Sequence, residues 1–179
     1  KKILPMEMVD EVGYFAAMMF YRKIGAYQYE VCYEDGKKVI VEDAYRFLPQ
    51  ISASDTDKLE AGIHYTLYEK LGAHLTEIGG VKGCEFAVWA PNALRVSVVG
   101  DFNGWDGRVH QMRRLWESGI FEIFVPGAKE GDCYKFEMKV KGGLTYLKTD
   151  PYAFGTEGGG DFASVICDIG NFEWHDEKW

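Results

Sequence analysis

The strongest constraint on this chain is that it says one thing twice. Residues 13–47 read "GYFAAMMFYRKIGAYQYEVCYEDGKKVIVEDAYRF", and residues 119–154 read "GIFEIFVPGAKEGDCYKFEMKVKGGLTYLKTDPYAF". Gly13, Phe15, Lys23 and Gly25 match Gly119, Phe121, Lys129 and Gly131 at a constant offset of 106 (119 − 13). One inserted residue later, Tyr27, Glu30, Gly36, Asp43, Tyr45 and Phe47 match Tyr134, Glu137, Gly143, Asp150, Tyr152 and Phe154 at 107 (134 − 27). An offset that holds, breaks once and holds again marks two copies of one module. The copies are unequal. Nothing before Gly13 resembles the stretch from "FAVWAP" to "GDFNGW" that leads into the second copy. Half a β-module exposes strand edges and an apolar face, so the first copy is expected to lean on other chain.

The second copy and its lead-in read as β throughout. "CEFAVWAP" alternates and stops at Pro91, "LRVSVVG" follows, and "IFEIFVPG" ends at Pro126–Gly127. "YKFEMKV" and "LTYLKTDPY" flank Gly142–Gly143, a hairpin signal, and "FASVICDI" (162–169) is a further strand. Between the copies the pattern changes. Asp55 and Asp57 can cap a helix, Ile63, Leu67 and Leu71 fall four apart on one helical face, and Gly72 stands where a helix ends. The expectation is an all-β chain: an immunoglobulin-like β-sandwich, a partial second β-module at the N-terminus and a short helical linker. In residues, that is a truncated module over 1–50, a helical linker over 51–74, the sandwich over 75–170 and a lead-in over 171–179.

Charge narrows the function. A formal net charge of −8 argues against a nucleic-acid binder and against an anionic membrane surface, both of which need a basic face. The longest apolar run, residues 12–21, is half of the roughly 20 residues a spanning helix needs, and "KKILPMEM" holds no signal-peptide core. Cys32, Cys84, Cys133 and Cys167 each sit in an apolar, strand-like run with no CxxC, and read as buried free thiols of a reducing, cytoplasmic compartment. No zinc-type Cys/His spacing occurs, and no metal or other cofactor is expected.

No framed catalytic motif stands out. GxSxG, HExxH, P-loop and GxGxxG patterns are missing, and His64, His74, His110 and His175 are scattered. Aromatic residues make up 15% of the chain, which suits strands and also surfaces that stack on flat ligands. Trp105, in the turn "GDFNGWDG", is the focus. Its indole either stacks on a sugar, with Asn103 and Asp106 as polar neighbours, or folds back as a lid on the core while Asp101 and Asn103 hold the turn by Asx bonds. Trp89 reads as core, and Trp116 as exposed at a hairpin turn. Tyr134 and Phe136 read as core, which turns Lys135 to the opposite face. Trp174 and Trp179 close the chain and suit packing on whatever follows.

At "FAVWAPNALRVSVVGDFNGWDG" the chain resembles the family 48 carbohydrate-binding module of α-glucan enzymes. Together with "LYEKLGAH", "GWDGRVHQMR", "DAYRFLPQ" and "TDPYAF", it most resembles bacterial 1,4-α-glucan (glycogen) branching enzymes, over nearly its whole length. The resemblance implies a non-catalytic, glycan-associated region. Its parent would be a glycosyltransferase of glycoside hydrolase family 13, whose barrel, beginning where this chain stops, cuts an α-1,4 link and re-forms it as α-1,6. It also implies partners, α-glucan or glycogen and that catalytic barrel, and a role for Trp105 stacking on glucose with Lys135 contacting the glycan. Trp116 and Tyr146 are further candidates. The family's second Trp falls in "GGLTYLK", where Leu144 or Tyr146 stands instead. Weak affinity, around millimolar, is expected, with a single stacking contact supplying only about 1–2 kcal/mol of it. The alternative is a sandwich that braces the barrel without binding sugar.

Overall fold

A computed structural model describes residues 3–20, 25–160, 162–170 and 175–176. The chain divides into two compact units, Lys1–Val41 and Glu42–Trp179. In the first, β1 (Glu7–Met8) pairs antiparallel with β2 (Phe15–Ala16), and β3 (Tyr29–Cys32) with β4 (Lys38–Val41). None of its described residues is buried. Lys23, one of the repeat positions, lies outside the described residues, as do Trp174 and Trp179.

The second unit is a sandwich of two sheets. One runs β5 (Gly72–Ile78), β6 (Val81–Trp89), β9 (Ile120–Pro126), β8 (Arg113–Leu115). The other is centred on β10 (Cys133–Val140), which pairs with β7 (Ala93–Gly100) on one side. On its other side β10 pairs with β11 (Thr145–Lys148) and with β13 (Ser164–Val165), and β13 carries β12 (Gly155–Thr156). The strand expected over 162–169 is thus only two residues long. Phe86, Val88, Phe121, Ile123 and Val125 from the first sheet meet Val96, Val98, Tyr134 and Phe136 from the second in one core. Tyr134 and Phe136 are fully buried, as their alternation with Lys135 requires.

The repeat reappears as matched geometry. Gly36 donates its N–H to Tyr33 O and Tyr33 its N–H to Lys37 O, each at 2.9 Å. At the same offset Gly143 donates to Val140 O at 3.2 Å and Val140 to Leu144 O at 3.0 Å. Gly36 and Gly143 have φ of +82° and +81°, a left-handed backbone that glycine adopts without steric cost. Further on, Asp43 Oδ1 and Asp150 Oδ1 each accept the N–H two residues ahead, from Tyr45 and Tyr152, at 2.8 Å.

Between the hairpin of the first unit and β5, residues 47–71 run along the outer face of the four-stranded sheet, while Ala44 joins the main core. Phe47 meets Phe124 edge-on at 4.6 Å. Ile51 and Leu71 join Ala87, Leu115 and Ile120 in a second core, with Leu59, Leu67 and Tyr152 packed on it.

The linker is less helical than the four-residue spacing predicts. One helix forms, α1 (Ala53–Glu60), and Ser52 caps it in a reciprocal box with Asp55. Gly62, at φ +70°, ends it: its N–H goes to Leu59 O at 3.0 Å and that of Ile63 to Lys58 O at 2.9 Å, a Schellman closure. Past that stop the expected face of Ile63, Leu67 and Leu71 breaks up. Only a 3-10 turn over Leu67–Glu69 forms, Leu71 is buried, and Ile63 is exposed. Gly72 does not close a helix. It opens β5 at φ +107°, where a Cβ would stand 3.0 Å from Tyr152 O.

Two further expectations are corrected. Trp89 is 53% exposed, because it ends β6 beyond the reach of either core, and its indole N–H goes to Ser118 O at 3.0 Å. All four cysteines are free thiols, but only Cys84 is buried. Cys32 lies exposed on β3, where the unburied first unit offers no core.

Candidate functional site

The turn after β7 decides where Trp105 goes. Gly100 ends the strand so close to β10 that a Cβ would collide with Cys133 O and the Phe102 ring. A 3-10 turn, Asp101–Asn103, follows. Phe102 swings inward: it packs on the main core, with its ring 5.4 Å from that of Phe86. Asn103 braces the turn from inside. Its Oδ1 accepts the Gly100 N–H and its Nδ2 donates to Val98 O, both at 2.9 Å. The same Nδ2 lies 3.0 Å from His110 Nδ1, which places the acceptor on that nitrogen and keeps the imidazole neutral. Burial pushes the His110 pKa down in the same sense.

With Phe102 capping the core, Trp105 is left outside it. It is 40% exposed and follows Gly104 into the left-handed region, both at φ +62°. For a side chain other than glycine this conformation costs roughly 1–2 kcal/mol. Strain of this kind persists where its surroundings over-determine it. Here the Trp105 N–H closes on Gly100 O at 3.1 Å and the indole N–H on Asp101 Oδ1 at 3.2 Å. Gly107 then lies against the Glu137 carboxylate with no room for a Cβ, and Glu137 in turn pairs with Arg95. So the turn lies back over the outward face of β7 and β10, and Ser97 and Val99 on that face are fully buried.

Register places the other candidates. Lys135, opposite Val99, lies on the outward face with Glu137, and Glu137 faces Leu147 on β11. Trp105, Lys135 and the half-exposed Leu147 therefore belong to one side of the five-stranded sheet. Tyr146 does not: it pairs with Met138, on the side of Phe136, and the Lys148 ammonium lies 5.5 Å from its ring. Trp116 belongs to the other sheet, in the β8–β9 turn, at φ +48° and 61% exposed. Leu147 was missed from the sequence. Counting two residues along β11 from Thr145 would have found it, once the strand's register on β10 was known.

A second cluster of functional groups is buried on the opposite sheet. Glu85 and Glu122 are both nearly inaccessible. Glu122 Oε1 accepts the backbone N–H groups of Gln50 and Ile51. Burial, then the hydrogen bond and charge of Glu122, push the Glu85 carboxyl up to about 10, so it keeps its proton at neutral pH. A pocket of about 160 Å³ beside Glu85 is lined by Gln50, Glu69, Lys70, His74 and Thr76. A buried acid that keeps its proton beside a second carboxyl group has the form of an acid–base pair. Of the two, Glu122 holds the linker to the sheet.

Residues 70–153 match the carbohydrate-binding module 48 (isoamylase N-terminal domain) family. The chain is 43% identical over 176 residues to the 1,4-alpha-glucan branching enzyme of Thermosynechococcus vestitus, covering 98% of this chain and 23% of that protein. It is 49% identical over 154 residues to the enzyme of that name from Myxococcus xanthus, covering 86% of this chain and 21% of the relative. Among solved structures, Klebsiella pneumoniae pullulanase complexed with maltotriose is 29% identical, with a TM-score of 0.46, over 57% of this chain and 10% of that one. The chain thus spans about a fifth of the length of these branching-enzyme relatives.

Proposed function

This chain belongs with the 1,4-α-glucan branching enzymes, as their region carrying carbohydrate-binding module 48, and on that footing we propose that it is the glycan-contacting, non-catalytic part of such an enzyme. Its ligand is α-glucan, and its place is the cytoplasm. The chemistry of the parent, transfer of an α-1,4-linked segment into an α-1,6 branch, belongs to chain outside these residues.

The observation that carries the reading is the division of labour between Phe102 and Trp105. Phe102 covers the core, so the indole of Trp105 is not needed there, yet it is held half-exposed in a strained backbone. Glucose rings present apolar faces that stack on such an indole. Lys135 on the same side of the sheet supplies a hydroxyl partner, and Asn103 serves as the brace of the turn. Among the described residues Trp105 is the one indole on this side of the five-stranded sheet, so stacking contributes about 1–2 kcal/mol and the affinity is weak.

Native gel mobility in the presence and absence of glycogen tests it. Glycogen retards the wild-type chain, and Trp105→Ala runs as if no glycogen were present. Equal mobility of the wild type, or retardation that Trp105→Ala leaves untouched, removes the sugar platform. That result would favour the second reading, a sandwich that braces the catalytic barrel. The observation in its favour lies at the opposite end of β7 and on the neighbouring strand ends: Trp89, Leu94 and Trp116 are exposed, and a pocket of about 490 Å³ there is lined by Pro91, Leu94, Arg114 and Lys141.

A further inference from the structure

We infer that Asp101 is the positioning residue of the Trp105 platform: its carboxylate fixes the indole so that the ring meets a sugar by its face alone. The inference rests on the glycan-binding reading of Trp105 and adds to it a residue that touches no sugar. Its basis is how one side chain is divided. Asp101 Oδ1 accepts the indole N–H of Trp105 at 3.2 Å, and Oδ2 accepts the backbone N–H of Cys133 at 2.8 Å. Cys133 is the first residue of β10, two before Lys135, and the same strand register sets both. A single rigid carboxylate therefore ties the indole to the strand that carries the lysine.

Two consequences follow from the chemistry. The indole nitrogen is a donor only, and its one hydrogen is already engaged by Asp101, so it has none to offer a glucose hydroxyl. Stacking is what remains to the ring. The ring must also be held. A Trp in the left-handed region can relax by turning its backbone or its side-chain torsions, and an indole anchored at Nε1 can do neither freely. Holding the ring in advance spares the ligand the cost of ordering it. Asparagine is a poor substitute despite its shape. It offers one acceptor where two donors converge, and its amide hydrogens would face one of them.

The test uses the full chain, maltoheptaose as probe and the indole N–H resonance of Trp105 as the readout of the contact. Asp101→Asn, and Asp101→Ala beside it, are expected to shift that resonance in the free protein and to weaken maltoheptaose binding about fivefold or more. Both should still show the dispersed amide spectrum of the wild type, and Trp105→Ala should lose binding altogether. If Trp105→Ala loses binding while both Asp101 variants keep wild-type affinity, or keep the wild-type indole resonance, the positioning role is overturned and the platform stands. If Trp105→Ala itself binds as wild type, the platform fails and the role of Asp101 fails with it. Should Asp101→Ala lose its amide dispersion, Asp101→Asn alone decides.

Discussion

Residues 29–41 and 133–148 are two hairpins of one pattern. Their turns use glycines at nearly the same φ, +82° at Gly36 and +81° at Gly143, and they close through equivalent backbone bonds. Their environments differ. Tyr29 corresponds to Phe136 at the repeat offset; Phe136 is fully buried, whereas Tyr29 is 37% exposed and its ring meets Tyr27 edge-on at 5.5 Å. The comparison separates what a local sequence encodes from what only a second layer supplies. Turn geometry follows from glycine placement and travels with the repeat. Burial depends on β7, which pairs with β10 and brings Val96 and Val98 into the core.

The largest expected effect breaks the symmetry at its centre. Phe136→Ala should cost about 3–5 kcal/mol in urea unfolding, because it empties a close-packed site. Tyr29→Ala should cost about 1 kcal/mol or less. Similar losses from the two would mean that the first copy has a core of its own.

The next effect tests a residue that only the second copy has. Glu122 corresponds to Ala16 at the repeat offset, and its partner Glu85 is held well above its ordinary 4.5 by burial first and Glu122 second. The folded state keeps a proton that the unfolded chain surrenders above that value. Stability from this group is whole below about pH 4.5 and drains away as pH rises towards 10. The wild type should therefore lose stability between about pH 5 and 9, and Glu85→Gln, which has no proton to give up, should lose less over that range. An equal decline in the two, followed by thermal unfolding, would show that Glu85 is not the titrating group.

The smallest effect is where the copies should agree. Gly36→Ala and Gly143→Ala each force a side chain into the left-handed region, at roughly 1–2 kcal/mol apiece. A marked difference between them would show that the two turns are not the same device.

These contrasts also mark what a reader of the sequence could see. The hairpin at Gly142–Gly143, the burial of Tyr134 and Phe136 and the outward turn of Lys135 all follow from short-range pattern, and the structure has them. Ile63, Leu67 and Leu71 misled, because Gly62 stops the helix before the four-residue spacing can act. Trp89 misled for another reason: alternation tells which side of a strand a residue takes, but not that β6 ends past the reach of both cores. At the candidate site, the rivalry between a sugar contact and a core lid was legible in Trp105. That Phe102 would take the lid, and that Asp101 would engage the indole, depends on the close approach of Gly100 to Cys133, a contact between strands that no local pattern records.

The second core has a practical consequence for anyone trimming this chain. The family match begins at residue 70, but Ile51, Leu59 and Leu67 lie before it and cover Leu71, Ala87, Leu115 and Ile120. A fragment cut at that border would carry the whole sandwich and still present a bare aliphatic patch to solvent, an invitation to self-association. The working limit of the domain is set by what shields the outer face of its four-stranded sheet, and that shield starts near Phe47, a full helix before the recognisable module begins.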